Sequence, residues 1–363
     1  MRDKLLYISL SIIPSRYANS VHVMKMCSAL ARNGFEDVEL LCMKGGEESP
    51  FDFFDVLENY KVTSISTPKN SILRALVYNY NCFKKIFRHK GIVYVRYMYP
   101  LLACILFSRK TYLELHGLPT NFIEKFIVKR FFKSSAYCGA IFITSRLKDH
   151  YIMTYNLNEN DCIVLPDCCD IPPINSLDLD NNFTDIGYVG HLYEGRGMEI
   201  ILGLAREFSD IKFHIIGGRD QDIERYKLLS SGNIIYHGFV KQNKLFDLYN
   251  KFTIALAPYQ SAVSNAGNGN SVDWMSPMKM FEYMAYNKVI ISSDLPALRE
   301  IGEDRKDLIF VAHDKLQEWV KVIEELINNP ILMSSLRDNS YKKFLNEYTW
   351  DKRVVKLNEF IKK

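Results

Sequence analysis

Apolar and polar positions along the 363 residues fall into two alternating patterns. Largely apolar runs at 4–10, 38–42, 93–97, 112–115 and 140–144 predict short buried strands. Between them, apolar residues recur at helical spacing. Val23, Met26, Cys27, Leu30 and Ala31 predict a helix over 20–33 that stops at Gly34. An acidic loop is expected over 45–55. The second half repeats the alternation, with strands at 186–189, 212–216, 234–236, 254–257 and 289–292. Helices are expected at 198–208, 222–229, 244–251 and 278–286, then a long helical stretch over 315–348 and a last helix over 349–361. Strands alternating with helices imply parallel sheets joined by crossovers.

The two series are separated near 166–182, where Pro166, Pro172 and Pro173 stand among Asp and Asn residues. The expected organisation is a first Rossmann-like domain over 1–168, a linker over 169–182, a second such domain over 183–345, and a helix over 346–363 crossing back to the first. Such a pair is expected to face across a cleft at the carboxyl ends of the strands.

Composition narrows the class. Hydrophobic residues make up 48% and charged residues 24%, which suits a globular protein. No secretory leader is expected, and the most apolar stretch, 91–108, is interrupted by Arg96 and Pro100. Eight cysteines without zinc spacing fit a reducing cytoplasm, although Cys168-Cys169 in an expected loop leaves a redox role open. There is no Walker-A loop and no Gly-x-Gly-x-x-Gly. The net charge of +4 hides a strong local bias: residues 59–148 hold 16 Lys and Arg against Glu114 and Glu124.

Four segments carry candidate chemistry. Gly190-His191-Leu192-Tyr193-Glu194-Gly195-Arg196-Gly197 lies between a strand and a helix. It reads as a tight turn or as an anion cradle with Arg196 beside a helix N-terminus. In Ser276-Pro277-Met278-Lys279-Met280-Phe281-Glu282, Ser276 can cap a helix with Pro277 at its first position. Lys279 and Glu282 then share one face, as a surface ion pair or as contacts to a phosphate and a ribose. Tyr17-Ala18-Asn19-Ser20 followed by His22 opens the first long helix. Glu114-Leu115-His116-Gly117 ends a strand, so Glu114 and His116 point to one side.

Together these segments resemble glycosyltransferase family 4, whose fold is the two-domain α/β GT-B arrangement. That family carries a Gly-Arg-Leu-x-x-x-Lys-Gly turn; here Gly190-His191-Leu192 and Arg196-Gly197 stand at matching spacing. Glu282 matches the second carboxylate of the family's Glu-x₇-Glu motif. The segment Asp294-Leu295-Pro296-Ala297-Leu298-Arg299-Glu300 resembles the tail after it. Tyr236-His237-Gly238-Phe239-Val240 resembles the turn that holds the base, and Tyr348-Thr349-Trp350 the start of the crossing-back helix. His22 and His116 fall on family histidines. There are departures: His191 replaces an arginine, and Trp274 replaces the first motif carboxylate, with Asp273 beside it.

The resemblance implies retaining transfer of a sugar from a UDP- or GDP-sugar, with no metal and no cofactor. His116, Arg196, Lys279 and Glu282 would be catalytic. Gly190, His191, Gly218, Gly238, Phe239, Val240, Ser276, Pro277 and Met278 would line the donor site with them. Tyr17, Ala18, Asn19, Ser20, His22 and Glu114 would lie on the acceptor or phosphate side. Two readings stay open beside it: a non-catalytic nucleotide-sugar-binding subunit and a sugar-nucleotide epimerase.

Two basic stretches mix aromatic anchors with cations. Tyr80, Phe83, Ile86 and Phe87 alternate with Lys84, Lys85, Arg88 and Lys90. Phe122, Ile123, Phe126, Ile127 and Phe131 alternate with Lys125, Lys129, Arg130 and Lys133. Each reads as a packed helix with a solvated face or as a contact to an anionic membrane. A membrane surface and a lipid-linked or glycan acceptor, in bacterial capsule, O-antigen or lipopolysaccharide assembly, are the expected partners, and nucleic acid is not. The expected location is the cytoplasmic face of the plasma membrane.

Overall fold

The computed structural model describes residues 4–173, 185–241, 244–263 and 272–363. Most of the linker expected over 169–182 lies outside them. Two compact units are present: Met1–Pro166 with Trp350–Lys363, and Asp167–Thr349.

The first unit is a parallel sheet of strands β1 (Lys4–Ile13), β2 (Asp37–Lys44), β3 (Lys61–Ile65), β4 (Ile92–Val95), β5 (Thr111–Leu115), β6 (Tyr137–Phe142) and β7 (Cys162–Val164). Their order is β3-β2-β1-β4-β5-β6-β7, so the chain reverses its direction of winding between β1 and β4. Strands β3 and β7 lie at the two sheet edges, and their residues are mostly half-buried or exposed. They lack the apolar runs that mark the central strands. The acidic stretch 45–55 is not all loop. Ser49 accepts from the Asp52 amide and starts a short helix, Pro50–Phe54, that buries Phe54.

The second unit has β8 (Ile186–Val189), β9 (Phe213–Ile216), β10 (Ile234–Gly238), β11 (Ile254–Ala257), β12 (Val289–Ser293) and β13 (Ile309–Val311). Their order is β10-β9-β8-β11-β12-β13, with the reversal between β8 and β11. Alternation along β8 sends Ile186 and Tyr188 into one apolar layer and Val189 into the other. Helices Met198–Glu207 and Leu316–Ile327 fill the first layer; Met278–Ala285 and Pro330–Glu347 fill the second. The stretch expected as one helix over 315–348 is two. Asn329 caps the second through the Leu332 amide, with Pro330 at its first turn.

The last helix, Trp350–Ile361, belongs to the first unit and packs on the helix Ala18–Arg32. Arg32 pairs with Asp351 at 2.8 Å, and Asn358 donates to the Asn33 carbonyl at 2.6 Å. Arg353 is buried and donates to the carbonyls of Pro166 and Leu165. These ties fix the terminal helix to the first sheet. Both Rossmann-like sheets and the returning helix are those of the GT-B fold.

Candidate functional site

In doubly wound sheets, ligands gather at the carboxyl ends of strands near the winding reversal. Each unit places a polar cluster there.

In the first unit the cluster is built on Glu114, near the end of β5 and fully buried. Its Oε1 lies 3.0 Å from His22 Nε2, 3.2 Å from Arg96 Nε and 2.5 Å from His116 Nε2. Tyr94 donates to Oε2, and Arg353 Nη2 stands 3.5 Å from it. Burial alone would raise the Glu114 pKa. Arg353, His22 and Arg96 outweigh it and hold the carboxyl well below its usual range. His116 is pushed down to about 4 by burial and by Arg96, against the opposing pull of Glu114. It is therefore a neutral imidazole at neutral pH, with both Glu114 Oε1 and Arg96 Nη2, the latter at 2.7 Å, against its Nε2. His22 is buried against Trp350, ring centres 4.9 Å apart. His22, Glu114 and His116 bring ligand atoms within 4.8 Å of one another, a spacing that could hold a metal. The neighbouring guanidiniums already balance the carboxylate, and their charge opposes a divalent cation there.

Other sequence expectations for this region fare differently. Tyr17, Ala18 and Asn19 are exposed at the start of their helix. Ser20 is not: it is buried, and its hydroxyl donates to the Ile12 carbonyl at 2.9 Å, tying the helix to β1. Arg96, Tyr94 and Arg353 were not singled out from the sequence. Arg353 carries no local signal, because it reaches Glu114 only once the terminal helix has docked.

The second unit's cluster is assembled from glycine turns. The Gly190 amide donates to the Ile216 carbonyl and the Gly217 amide to the Gly238 carbonyl, tying together the ends of β8, β9 and β10. Gly190 has φ +138°, and a Cβ there would stand 3.3 Å from Lys279 Nζ. Gly197, at φ +82°, starts the helix Met198–Glu207, where a Cβ would overlap the Pro258 carbonyl at 1.9 Å.

Lys279 is buried, and its Nζ makes no hydrogen bond among the described residues. The ammonium lies 3.7 Å from the Tyr188 ring centre and 5.0 Å from that of Tyr259. The Arg196 guanidinium stands over the same Tyr259 ring at 5.3 Å. Burial and Arg196 push the Lys279 pKa well below the usual lysine range, with Glu282 pulling the other way. Glu282 is also buried and accepts from Tyr249 Oη at 2.8 Å. Neither residue is a surface ion-pair partner. Tyr188, Tyr259 and Tyr249 sit in or beside apolar strand runs and were read only as core.

His191 is stacked flat on Tyr193, ring centres 4.7 Å apart. Burial, Arg196 and Lys279 lower its pKa, so it does not replace the charge of an arginine. Arg219, just past Gly217-Gly218, lies over Tyr193 at 4.8 Å and pairs with Asp222 at 2.7 Å. It brings a cation to this turn that the sequence reading missed. Ser276 does not cap the helix Met278–Ala285. Pro277 occupies the cap position, and Ser276 Oγ accepts from the Asp167 amide at 2.9 Å. Gly218, Gly238, Phe239, Val240 and Met278 surround the same strand ends, with Phe239 exposed and Val240 packed on the apolar layer. Asp273, beside Trp274, is exposed.

The basic stretches are helices Ser71–Arg88 and Phe122–Phe131. Ile86, Ile127 and Phe131, expected among the anchors, are buried in the core instead, while Phe122 and Phe126 are 80% and 57% exposed. Lys84, Arg88, Lys129, Arg130 and Lys133 are exposed as well. Lys85 is partly buried and paired with Glu39 at 2.5 Å, so its charge is already met. No described helix is long and apolar enough to cross a membrane.

Residues 184–329 match the family model described as glycosyl transferases group 1. Among curated proteins none matches the sequence. Solved structures with the same fold include a glycosyltransferase from Rickettsia africae, at TM-score 0.76, 14% identity and 99% and 98% coverage of this chain and that one. Anabaena HepE in complex with UDP-glucose matches at TM-score 0.74 and 11% identity, covering 99% of both chains. The lipopolysaccharide outer core galactosyltransferase WaaB matches at TM-score 0.69 and 16% identity, again over 99% of both. The glycine turns and the buried Lys279 and Glu282 thus lie in the segment that matches the group 1 glycosyltransferase model, and the two parallel sheets are those of the GT-B fold.

Proposed function

We propose that this enzyme moves a sugar, with retention, from a UDP- or GDP-sugar to a lipid-linked or glycan acceptor at an anionic membrane surface. The observation that carries the donor reading is Lys279, a buried amine that makes no hydrogen bond among the described residues and lies beside a second cation, Arg196. A diphosphate supplies acceptor oxygens to the Lys279 ammonium and charge complementarity to Arg196 beside it. The Gly190 turn and the start of the helix Met198–Glu207 add backbone dipoles of the same sign. As the glycosidic bond breaks, charge grows on the leaving diphosphate, and this preorganised group stabilises it. Glu282 takes ribose hydroxyls. His116, kept neutral, takes a sugar hydroxyl on the side of the first unit. A UDP-glucose complex of HepE, a fold relative, supports a UDP-sugar. The name of WaaB supports surface-polysaccharide assembly in bacteria.

Membrane contact rests on the exposed Phe122, Phe126, Lys84, Arg88, Lys129, Arg130 and Lys133. It would hold the enzyme on the cytoplasmic face of the plasma membrane as a peripheral protein.

A panel of nucleotide-sugars screened by thermal shift identifies the donor, and nucleoside diphosphate release is then assayed with and without lipid extract. Acceptor-dependent release is expected. Binding without release would leave a non-catalytic subunit, and conversion of the donor without release would leave an epimerase.

A further inference from the structure

A cavity of about 520 Å³ lies in the first unit, apart from the Glu114 cluster. Its floor is one face of the sheet edge, with Asp37, Glu39 and Leu41 from β2 and Thr63 and Ile65 from β3. Its wall is the end of the helix Ser71–Arg88 and the residues after it, bearing Lys84, Lys85, Arg88 and Lys90. None of these belongs to the clusters described above.

The charges in the cavity do not cancel. Glu39 is met by Lys85 and by the Thr63 hydroxyl at 2.6 Å, and Asp37 by Lys4 at 2.9 Å. Among the described residues Lys84, Arg88 and Lys90 have no acidic partner, and all three are exposed. Lys84 rests against the Tyr80 ring. Three uncompensated cations around one concavity suit a phosphate group.

The helix itself says where that phosphate comes from. At 3.6 residues per turn its positions fall into three sectors. Tyr78, Cys82 and Ile86 are buried on the sheet. Lys84, Arg88, Asn81 and Lys85 form the sector that walls the cavity. Ile72, Leu76, Tyr80, Phe83 and Phe87 form a third sector, apolar yet exposed, with Leu76 at 62%. The sequence reading found only the lower half of this sector, because Ile72 and Leu76 precede the basic residues. A basic cavity alongside an exposed apolar stripe matches a bilayer surface, with headgroups beside acyl chains.

We propose that this cavity is a phosphate site for the headgroup of an anionic phospholipid, held by Lys84, Arg88 and Lys90 while the apolar sector of the same helix enters the acyl layer. The lipid source rests on the membrane reading above; the phosphate chemistry does not.

The test uses the full chain and two variants of equal charge change. One is Lys84→Gln with Arg88→Gln and Lys90→Gln in the cavity. The other is Lys129→Gln with Arg130→Gln and Lys133→Gln on the helix Phe122–Phe131. Glycerol 1-phosphate is titrated by calorimetry, and vesicles of phosphatidylcholine with and without phosphatidylglycerol are floated. The cavity variant should lose one glycerol phosphate binding event, by at least ten-fold in affinity, that the other variant keeps. It should also lose preference for phosphatidylglycerol. Equal glycerol phosphate binding by wild type and cavity variant overturns the site. Glycerol phosphate binding at the cavity with no vesicle binding overturns the lipid source and leaves a soluble phosphate as occupant. The altered side chains are exposed, so an unchanged melting temperature in both variants separates lost binding from lost fold.

Discussion

The two strand-end clusters are electrostatic opposites. In the first unit a buried carboxylate, Glu114, is ringed by Arg96, Arg353, His22, His116 and Tyr94. In the second a buried amine, Lys279, sees aromatic faces, the Arg196 cation and the Glu282 charge, and makes no hydrogen bond among the described residues. The first is complete by itself and works as a scaffold that holds an imidazole neutral and fixed. The second lacks such closure among the described residues, and in the proposed function an anion completes it. On that reading a structural ion cluster and a binding site are told apart by what each lacks.

Substitution should separate them by opposite effects on stability. Glu114→Gln strands two guanidiniums in the interior of the first unit. Breaking a buried charge network this way costs about 3–5 kcal/mol. Chemical denaturation should show that loss. Lys279→Met removes a buried amine that makes no hydrogen bond among the described residues, so stability should hold or rise. Its cost should appear in ligand binding, as a loss of about 10–100-fold in nucleoside diphosphate affinity, the scale of one charged hydrogen bond. Stability lost at Lys279 and kept at Glu114 would invert the comparison.

The scaffold role of the first cluster has its own readout. Arg96 lowers the His116 pKa, so Arg96→Leu should raise it from about 4 toward the usual imidazole value. A histidine titration followed by NMR measures this, and an unmoved value would remove Arg96 from that role. The smallest expected effect is that of a chelator. With cations and helix dipoles at the donor phosphates, turnover in excess EDTA should equal that in magnesium. A strict magnesium requirement would contradict this.

Much of the fold could be read from the chain because central strands are apolar runs and their helices have apolar stripes. The edge strands Lys61–Ile65 and Cys162–Val164 could not, since half-buried positions keep mixed polarity. The proposed site was legible where a local motif suggests it, as at Gly190, Arg196, Lys279 and Glu282. It was not where the fold joins distant residues. Arg353 reaches Glu114 from 239 positions away, which no spacing rule anticipates. Tyr188 and Tyr259 looked like ordinary core because their rings are core; what sets them apart is that their faces meet Lys279. The serine before Pro277 failed for a different reason. A local cap was open to it, but its hydroxyl accepts instead from the Asp167 amide, 109 positions away.

The most direct test is the proton balance of nucleotide binding. A diphosphate beside Lys279 restores the charge that burial and Arg196 suppress, so the bound pKa lies above the unbound one. Between those two values binding takes up a proton, and affinity falls as pH rises. Calorimetry of the preferred nucleoside diphosphate, repeated in buffers of different ionisation enthalpy, reads this uptake. Wild type should take up close to one proton within that window, and Lys279→Met should take up none. Binding without proton uptake in wild type at any pH across the window, or uptake persisting in Lys279→Met, would contradict the assignment of Lys279 as the vacant cation of the donor site.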